Sequence, residues 1–594
     1  MPHVLFQLLP AAIIIGMLCV LLRCKTGSSS DLNTYLLSDA QAGFLVCPGC
    51  EFENFTRFSY CNLCGERLID KTNDASAKEQ QTETPIHARK LRTQQIRVRK
   101  RKEWMRKVGV DGNLFWFRGN DNSTISSTMR SVSAAQSPGF VLQYTTEYAK
   151  NAPPEEGGVE MVEPGVIQMD DGVTMTLVPS TEATPARFPV GETLPFSAEH
   201  MDEIITLSAT DFPSKYAHFV VSTAALLVPA DVAFIKLSIH RDQLLEESVD
   251  HVGCIKEKNI HSYMRINFMD ESGVDAGGIH REWFMLVNEL LVNPTLQLFT
   301  CCNNSDQSYY LNPAAKYDLG ADNLTYYYAT GRLIGRALLE GCTWGFHLAL
   351  PLLKTILGIP VTFSDLEYLD PEAYRSMVWL MENNGVDDLG LDFSVMESRG
   401  GELVQVELIP NGSNITVTDA NKHTYLKRKF EYLLFESVSD QLFMLLKGIY
   451  EVIPQELLLL FDAEELDYLL CGTQEIDVDD WKANTVCSTN LKWTSVLEWF
   501  WEVVAEMPNE YRRRLLQFAT GSSRVPLSGF AGLTSYDGRL CPFTLKSTSS
   551  CRMKYISSHA CFNRLDIPTY RSKKELKTFL YATLETELTG FTTA

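Results

Sequence analysis

From about residue 212 onward, helix-length apolar patterns alternate with short β-branched runs, and no other feature of the chain narrows its fold so far. LLEESVDHV, REWFMLVNELLV, ATGRLIGRALLEGC, LFMLLKGIYEVI and ELDYLLCG repeat apolar side chains at helical spacing, while NITVTD reads as a strand. An apolar residue at every third or fourth position buries one stripe of a helix, and alternation over a few residues buries one face of a strand. A chain that mixes the two in this way is expected to fold as an α+β domain of enzyme size. After the polar stretch Thr485 to Asn490 a shorter unit begins near 491, with SVLEWFWEVVAEM, RRRLLQFATG and ELKTFLYATLETEL as its helices. At 594 residues the chain is several times the usual domain size, so two or more folded units are expected.

Upstream the texture is different. Residues 4 to 22, VLFQLLPAAIIIGMLCVLL, form an apolar run interrupted only by Gln7, Pro10 and Gly16. At about 1.5 Å per residue such a run nearly crosses a hydrocarbon core of roughly 30 Å, so residues 1–24 are expected to be a transmembrane anchor. Arg23 and Lys25 follow the run rather than precede it, which disfavours the competing reading, a cleaved secretory signal. By the positive-inside rule the same charges are expected to keep the downstream chain in the cytosol. The net charge of −21 argues against a nucleic-acid binder, which would carry a basic surplus. Residues 87–107 are a local exception, with ten Lys or Arg against one Glu, and read as a solvated linker or as a contact for anionic lipid, RNA or an importin.

After a polar spacer, 25–44, comes CPGCEFENFTRFSYCNLC, in which Cys47, Cys50, Cys61 and Cys64 make two C-x2-C pairs separated by ten residues. Each pair suits a knuckle presenting two thiolates, and two knuckles close a tetrahedral Zn²⁺ site, expected over 45–68. The total of fifteen cysteines is odd, four of them sit in this motif, and a disulfide framework is not the natural interpretation. Residues 69–211 read as linker; within them 110–205 is rich in Ser, Thr, Pro and Gly with strand-like patches such as FVLQYTTEY, and is a linker or a small β-rich element.

Cys561, in SSHACFNRLDIPTY, is by itself weak evidence, because free cysteine usually behaves as a small buried hydrophobe. His559 lies two residues earlier and shares a face with it in an extended segment, where an imidazolium favours the reactive thiolate. A Cys-His hydrolase is one reading, although the histidine of such pairs normally lies far away in sequence.

Taken together, GVDAGGIHREWF, YATGRLIGRAL, DLEYLDPEAYRSMVWLMEN, ELIPNGSNITVTDANKHTYL, IPQELLLLFDAEELDYLLCG, DVDDW, LEWFWEVV, LLQFATGSSRVPLSGF and HACFNRLDIPTY resemble the HECT ubiquitin-ligase domain block after block and in order. The resemblance implies a larger N-lobe over 212–486, a hinge at 487–491 and a C-lobe over 492–594. A small subdomain near 375–455 would bind a ubiquitin-conjugating enzyme. Cys561 would carry ubiquitin as a thioester and pass it to lysines of protein substrates, with no metal or nucleotide needed at that step. Asp566 would accept or orient the lysine proton, or else cap a turn. Phe591 would help position the transfer, and Arg524 would form a loop against the ubiquitin tail or the N-lobe, or a structural salt bridge. Ala560 stands where the family usually has Thr, which removes a hydroxyl donor and predicts weakened or retuned transfer. A catalytically idle adaptor that binds ubiquitin or a conjugating enzyme is the alternative. The cysteine quartet with Asn54 resembles the zinc ribbon of Ran-binding nucleoporins, with Leu45 where the family has Trp and Glu51-Phe52 where ubiquitin-binding members have Thr-Phe; ubiquitin binding, RNA binding and a purely structural role all stay open.

Overall fold

The structure is a computed structural model. It describes residues 198–585 apart from 230–231, 270, 272–277, 304–306, 473–475, 528, 535–539 and 549–554, together with 44–48, 53–55, 61, 67–68, 104–108, 114–118, 139–146, 166–168, 173–180 and 188–189. The apolar run 4–22, Cys50, Cys64, most of the basic stretch and Phe591 lie outside the described residues. Among the described residues no helix is long and apolar enough to cross a membrane.

The larger body is organised by three helices, α1 (Gly278–Leu291), α2 (Asn323–Glu340) and α3 (Ser439–Val452). The apolar spacing of ATGRLIGRAL becomes a helix buried without a break from Ala329 to Leu339, with left-handed Gly341 (φ 69°) ending it. Burying α2 takes its two arginines inside as well. Arg332 pairs with Glu451 at 2.7 Å, and Arg336 pairs with Glu340 and donates to the carbonyls of Ile260 and Ser262 at 2.7 and 2.9 Å. Such pairing is what makes a buried guanidinium tolerable. Gly331 and Gly448 let α2 and α3 touch backbone to backbone; a methyl at Gly331 would collide with the Leu445 carbonyl. Around this pair lie the parallel strands Phe234–Ile239 and Tyr263–Phe268 and a three-stranded sheet of Phe299–Asn303, Ser308–Leu311 and His347–Leu348.

A second core, from Val361 to Leu434, is built by Pro371–Glu382, Lys422–Leu434 and the antiparallel hairpin of Ser394–Arg399 with Glu402–Glu407. Asp370 caps the first helix by accepting from the Glu372 and Ala373 N–H groups, with Pro371 at its first turn.

The stretch expected as linker contributes to both cores. Phe140–Thr146 pairs antiparallel with Val173–Pro179, which pairs in turn with Val166–Gln168. Alternation places Phe140, Leu142 and Tyr144 on one face of the strand. Leu142 and Tyr144 pack on the main core and Phe140 enters the second one. Backbone bonds of 2.8 Å run both ways between Phe140 and Val361. Phe188 then lies among Tyr144, Phe443 and Tyr450, at centroid distances of 4.9–5.3 Å, and its N–H donates to Gln455 at 3.0 Å. Further upstream the hairpin Phe44–Val46 with Glu53–Phe55 brings Cys47 and Cys61 against the same body.

A third core runs from Ile476 to Leu584. It surrounds a four-stranded sheet of β1 (Thr485–Cys487), β2 (Phe543–Thr548), β3 (Ser557–His559) and β4 (Arg564–Pro568), in the order β1-β2-β4-β3, flanked by α4 (Asn509–Thr520). This corrects the expectation of a hinge at 487–491. Cys487 is the end of edge strand β1, the Ser488 N–H donates to Leu545 at 2.9 Å, and Leu491 is buried. A three-residue parallel edge strand has too little apolar signal to be told from a polar linker. The chain leaves one core for the other between Cys471 and Ile476.

Candidate active site

The site grows out of the β3–β4 hairpin. These strands pair antiparallel, His559 opposite Arg564 and Ser557 opposite Asp566. Between them Ala560–Phe562 makes one 3₁₀ turn, so Cys561 sits at the middle of the turn. Asn563 ends it in the left-handed region (φ 47°), a conformation that asparagine tolerates better than most residues. Ala560 is buried and Phe562 exposed, so the turn has one face in the lobe and one at its surface.

The hairpin brings together two of the residues expected at the site. His559 Nε2 lies 3.3 Å from Asp566 Oδ2. Arg564 holds the same carboxylate with both arms of its fork, Nε to Oδ1 at 2.8 Å and Nη2 to Oδ2 at 3.1 Å. Asp566 therefore lies within a strand and orients an imidazole; it does not cap a turn. The three side chains are partly exposed, so incoming groups can reach them. Elsewhere, burial pushes the Cys487 thiol up, and burial together with Glu340 pushes the Cys342 thiol up to about 12, both against the thiolate.

Arg524 reaches out of the third core, donating to the carbonyls of Cys471 and Gly345 at 2.6 and 2.8 Å. A residue the sequence did not single out answers it from the other side. Arg281 on α1 donates to the Thr520 carbonyl at 2.9 Å, to Asn563 Oδ1 at 3.2 Å and to the Thr534 carbonyl. Asn563 was likewise passed over, and so was Arg564. All three lie inside the quoted blocks, but their partners are set by strand pairing and lobe contact, which spacing does not encode.

The chain thus places a cysteine at the middle of a turn whose flanking strands carry an imidazole–carboxylate pair, on a lobe with its own core, an arrangement compatible with nucleophilic catalysis. Residues 284–594 match the model of the HECT-domain (ubiquitin-transferase), more than half of the chain, and the chain belongs to that family. It is 38% identical over 330 residues to the E3 ubiquitin-protein ligase ptr1 of Schizosaccharomyces pombe, which covers 56% of this chain and 10% of the relative. It is 36% identical over 347 residues to the E3 ubiquitin-protein ligase TOM1-like of Neurospora crassa, which covers 58% of this chain and 8% of the relative. The matched part is thus a tenth or less of the length of these relatives.

Proposed function

We propose that this chain is a HECT-type E3 ubiquitin ligase that accepts ubiquitin from a conjugating enzyme as a thioester on Cys561 and transfers it to substrate lysines. The observation that carries this is the Cys561 turn, beside His559, Asp566 and Arg564, on the separate lobe of a family member. In the first step the Cys561 thiolate attacks the carbonyl carbon of the incoming thioester; a new C–S bond forms and the conjugating enzyme's cysteine leaves as thiolate. In the second, a neutral lysine amine attacks the same carbon, the C–N bond forms and the Cys561 thiolate leaves. The amine must lose a proton, and the Asp566–His559 pair, on the strands that flank the Cys561 turn, is the candidate to orient and accept it. Ala560 offers no hydroxyl to the oxyanion, so that charge is left to backbone N–H groups and transfer is slower than with a hydroxyl present.

A groove of about 550 Å³ on the second core, lined by Arg375, Ser376, Trp379, Leu380, Leu389 and Leu391, supports docking of the conjugating enzyme there. Trp379 and Leu389 are half exposed in it, the kind of anchor that interfaces use. Zn²⁺ binding at the N-terminal cysteines is supported by Asn54, which is buried and directs its amide at Cys61 Sγ at 3.4 Å, and by the burial of Cys47 and Cys61. An N–H donated to a sulfur steadies a thiolate ligand. Cys47, Cys50, Cys61 and Cys64 would hold the ion, which supplies folding energy and no chemistry. The 4–22 run supports a membrane anchor with the catalytic lobes in the cytosol, which protease protection of isolated membranes tests.

The ligase reading is tested by incubating the full chain with activating enzyme, a panel of conjugating enzymes, ubiquitin and ATP. A thiol-labile ubiquitin adduct that disappears in Cys561→Ala is expected. No adduct with any conjugating enzyme would leave the chain as an adaptor.

A further inference from the structure

Arg281, a cation of the larger body, reaches across to the residue that ends the Cys561 turn. It sits on α1, and three of its hydrogen bonds reach the other lobe. Thr520 is the last residue of α4, so its carbonyl has no partner within the helix, and a guanidinium there also suits the negative end of the helix dipole. Thr534 and Asn563 form the floor beneath the Cys561 turn. Asn563 is fully buried, and its side-chain amide donates to the carbonyls of Thr534 and Cys541 at 3.1 and 2.8 Å. Its N–H closes the turn onto Ala560 at 3.2 Å, and its carbonyl accepts from the Thr544 N–H at 2.9 Å. Asn563 therefore spends both its backbone groups and its amide on holding the turn to the sheet. Its remaining side-chain atom, Oδ1, accepts from Arg281 across the lobe junction.

Resting on the ligase reading, we propose that Arg281 is a positioning residue: through Asn563 it fixes the Cys561 turn in one of the two lobe arrangements that the two transfer steps require. Cys561 has to meet the conjugating enzyme in one step and the substrate lysine in the other, and a single contact between rigid lobes serves only one of these. The three oxygens that accept from Arg281 across the junction are neutral, so breaking these three bonds strands no carboxylate, unlike breaking the Arg332–Glu451 pair within the body.

The test uses the full chain and the variants Arg281→Ala, Arg281→Lys, Asn563→Gly and the double variant, glycine being chosen because it keeps the left-handed backbone. Single-turnover loading from a charged conjugating enzyme and discharge in a lysine chase are timed separately. Arg281→Ala is expected to slow one rate by at least about tenfold and leave the other within about threefold, since a misplaced reacting group loses rate steeply. Arg281→Lys should recover part of the loss, and the double variant should be no slower than the worse single one, because the two residues act as a unit. In parallel, site-resolved mass spectrometry follows iodoacetamide alkylation of Cys561 against pH in the chain alone, and the Arg281→Ala profile is expected to move. Equal slowing of both steps with a lowered melting point, or unchanged rates and an unchanged alkylation profile, overturns the proposal. The alkylation arm needs no ubiquitin. A wild type that never loads therefore sinks the ligase reading and leaves the positioning role to be decided by that profile.

Discussion

At the scale of single residues, the Asp566 carboxylate is shared between His559 and Arg564, and the three depend on one another. Asp566→Asn removes the charge but keeps the shape. It is expected to slow discharge to lysine by roughly 10²-fold, the lower end of what a positioned proton acceptor contributes. Loading, which needs no proton from an amine, should change far less, and a pulse-chase with labelled ubiquitin separates the two. A second buried pair makes a pH prediction. His347 Nδ1 lies 3.0 and 2.9 Å from the two Asp467 oxygens. Burial alone would lower its pKa, but the Asp467 carboxylate and Cys471 outweigh that and hold it well above 6.5. A raised folded-state pKa gives stability that is fully present below the unfolded value and is lost as pH rises through the folded one. Asp467→Asn should therefore lower the urea midpoint more at about pH 6 than at about pH 9, both above the carboxylate range, and an equal loss at both would refute the charged pair. His559 and Asp566 both lay in the quoted HACFNRLDIPTY block, and strand pairing brings them together. The roles of Arg564 and Asn563 were not legible, because they come from cross-strand register and a left-handed turn, neither of which follows from residue type.

At the scale of elements, the helices were the legible part. Stretches such as ATGRLIGRAL and LFMLLKGIYEVI carry enough apolar repeats to fix both type and orientation, and they became α2 and α3. What no periodicity conveys is how near two helices come. Gly331 faces the Leu445 carbonyl and Gly448 the Tyr328 carbonyl, so α2 and α3 lie closer than side chains normally allow. Gly331→Ala has to push them apart through the middle of the core and should destabilise the protein by about 1–3 kcal/mol, the usual cost of overpacking, against the stabilisation that alanine brings to an isolated helix. Denaturant unfolding read by tryptophan fluorescence decides the sign. Short strands were the illegible part. The edge strand β1 looked like a hinge, and Phe140–Thr146, though strand-like in pattern, could not be told apart from linker, because both are stabilised by partners far away in sequence.

At the scale of the whole molecule, the three cores divide the work: one is the frame, one carries the groove around Trp379, and one carries the thiol. If the groove receives the conjugating enzyme, Trp379→Ala should raise the KM for the charged conjugating enzyme about tenfold or more while the loaded thioester discharges at its normal rate, as expected when an exposed aromatic anchor is lost. The α+β class was readable from the mixture of patterns; the union of frame and groove was not, since it runs through Phe140 and Phe188, upstream of the matched family region. That union bears on where the protein can be cut. A fragment starting at 284 lacks Phe234–Ile239 and Tyr263–Phe268, and one starting at 212 bares Phe443 and Tyr450 by removing the ring of Phe188 that covers them. Such a truncated chain would present a wet aromatic patch and tend to self-associate. A fragment that keeps Phe140 and Phe188 in place starts no later than about residue 139, well upstream of the matched family region.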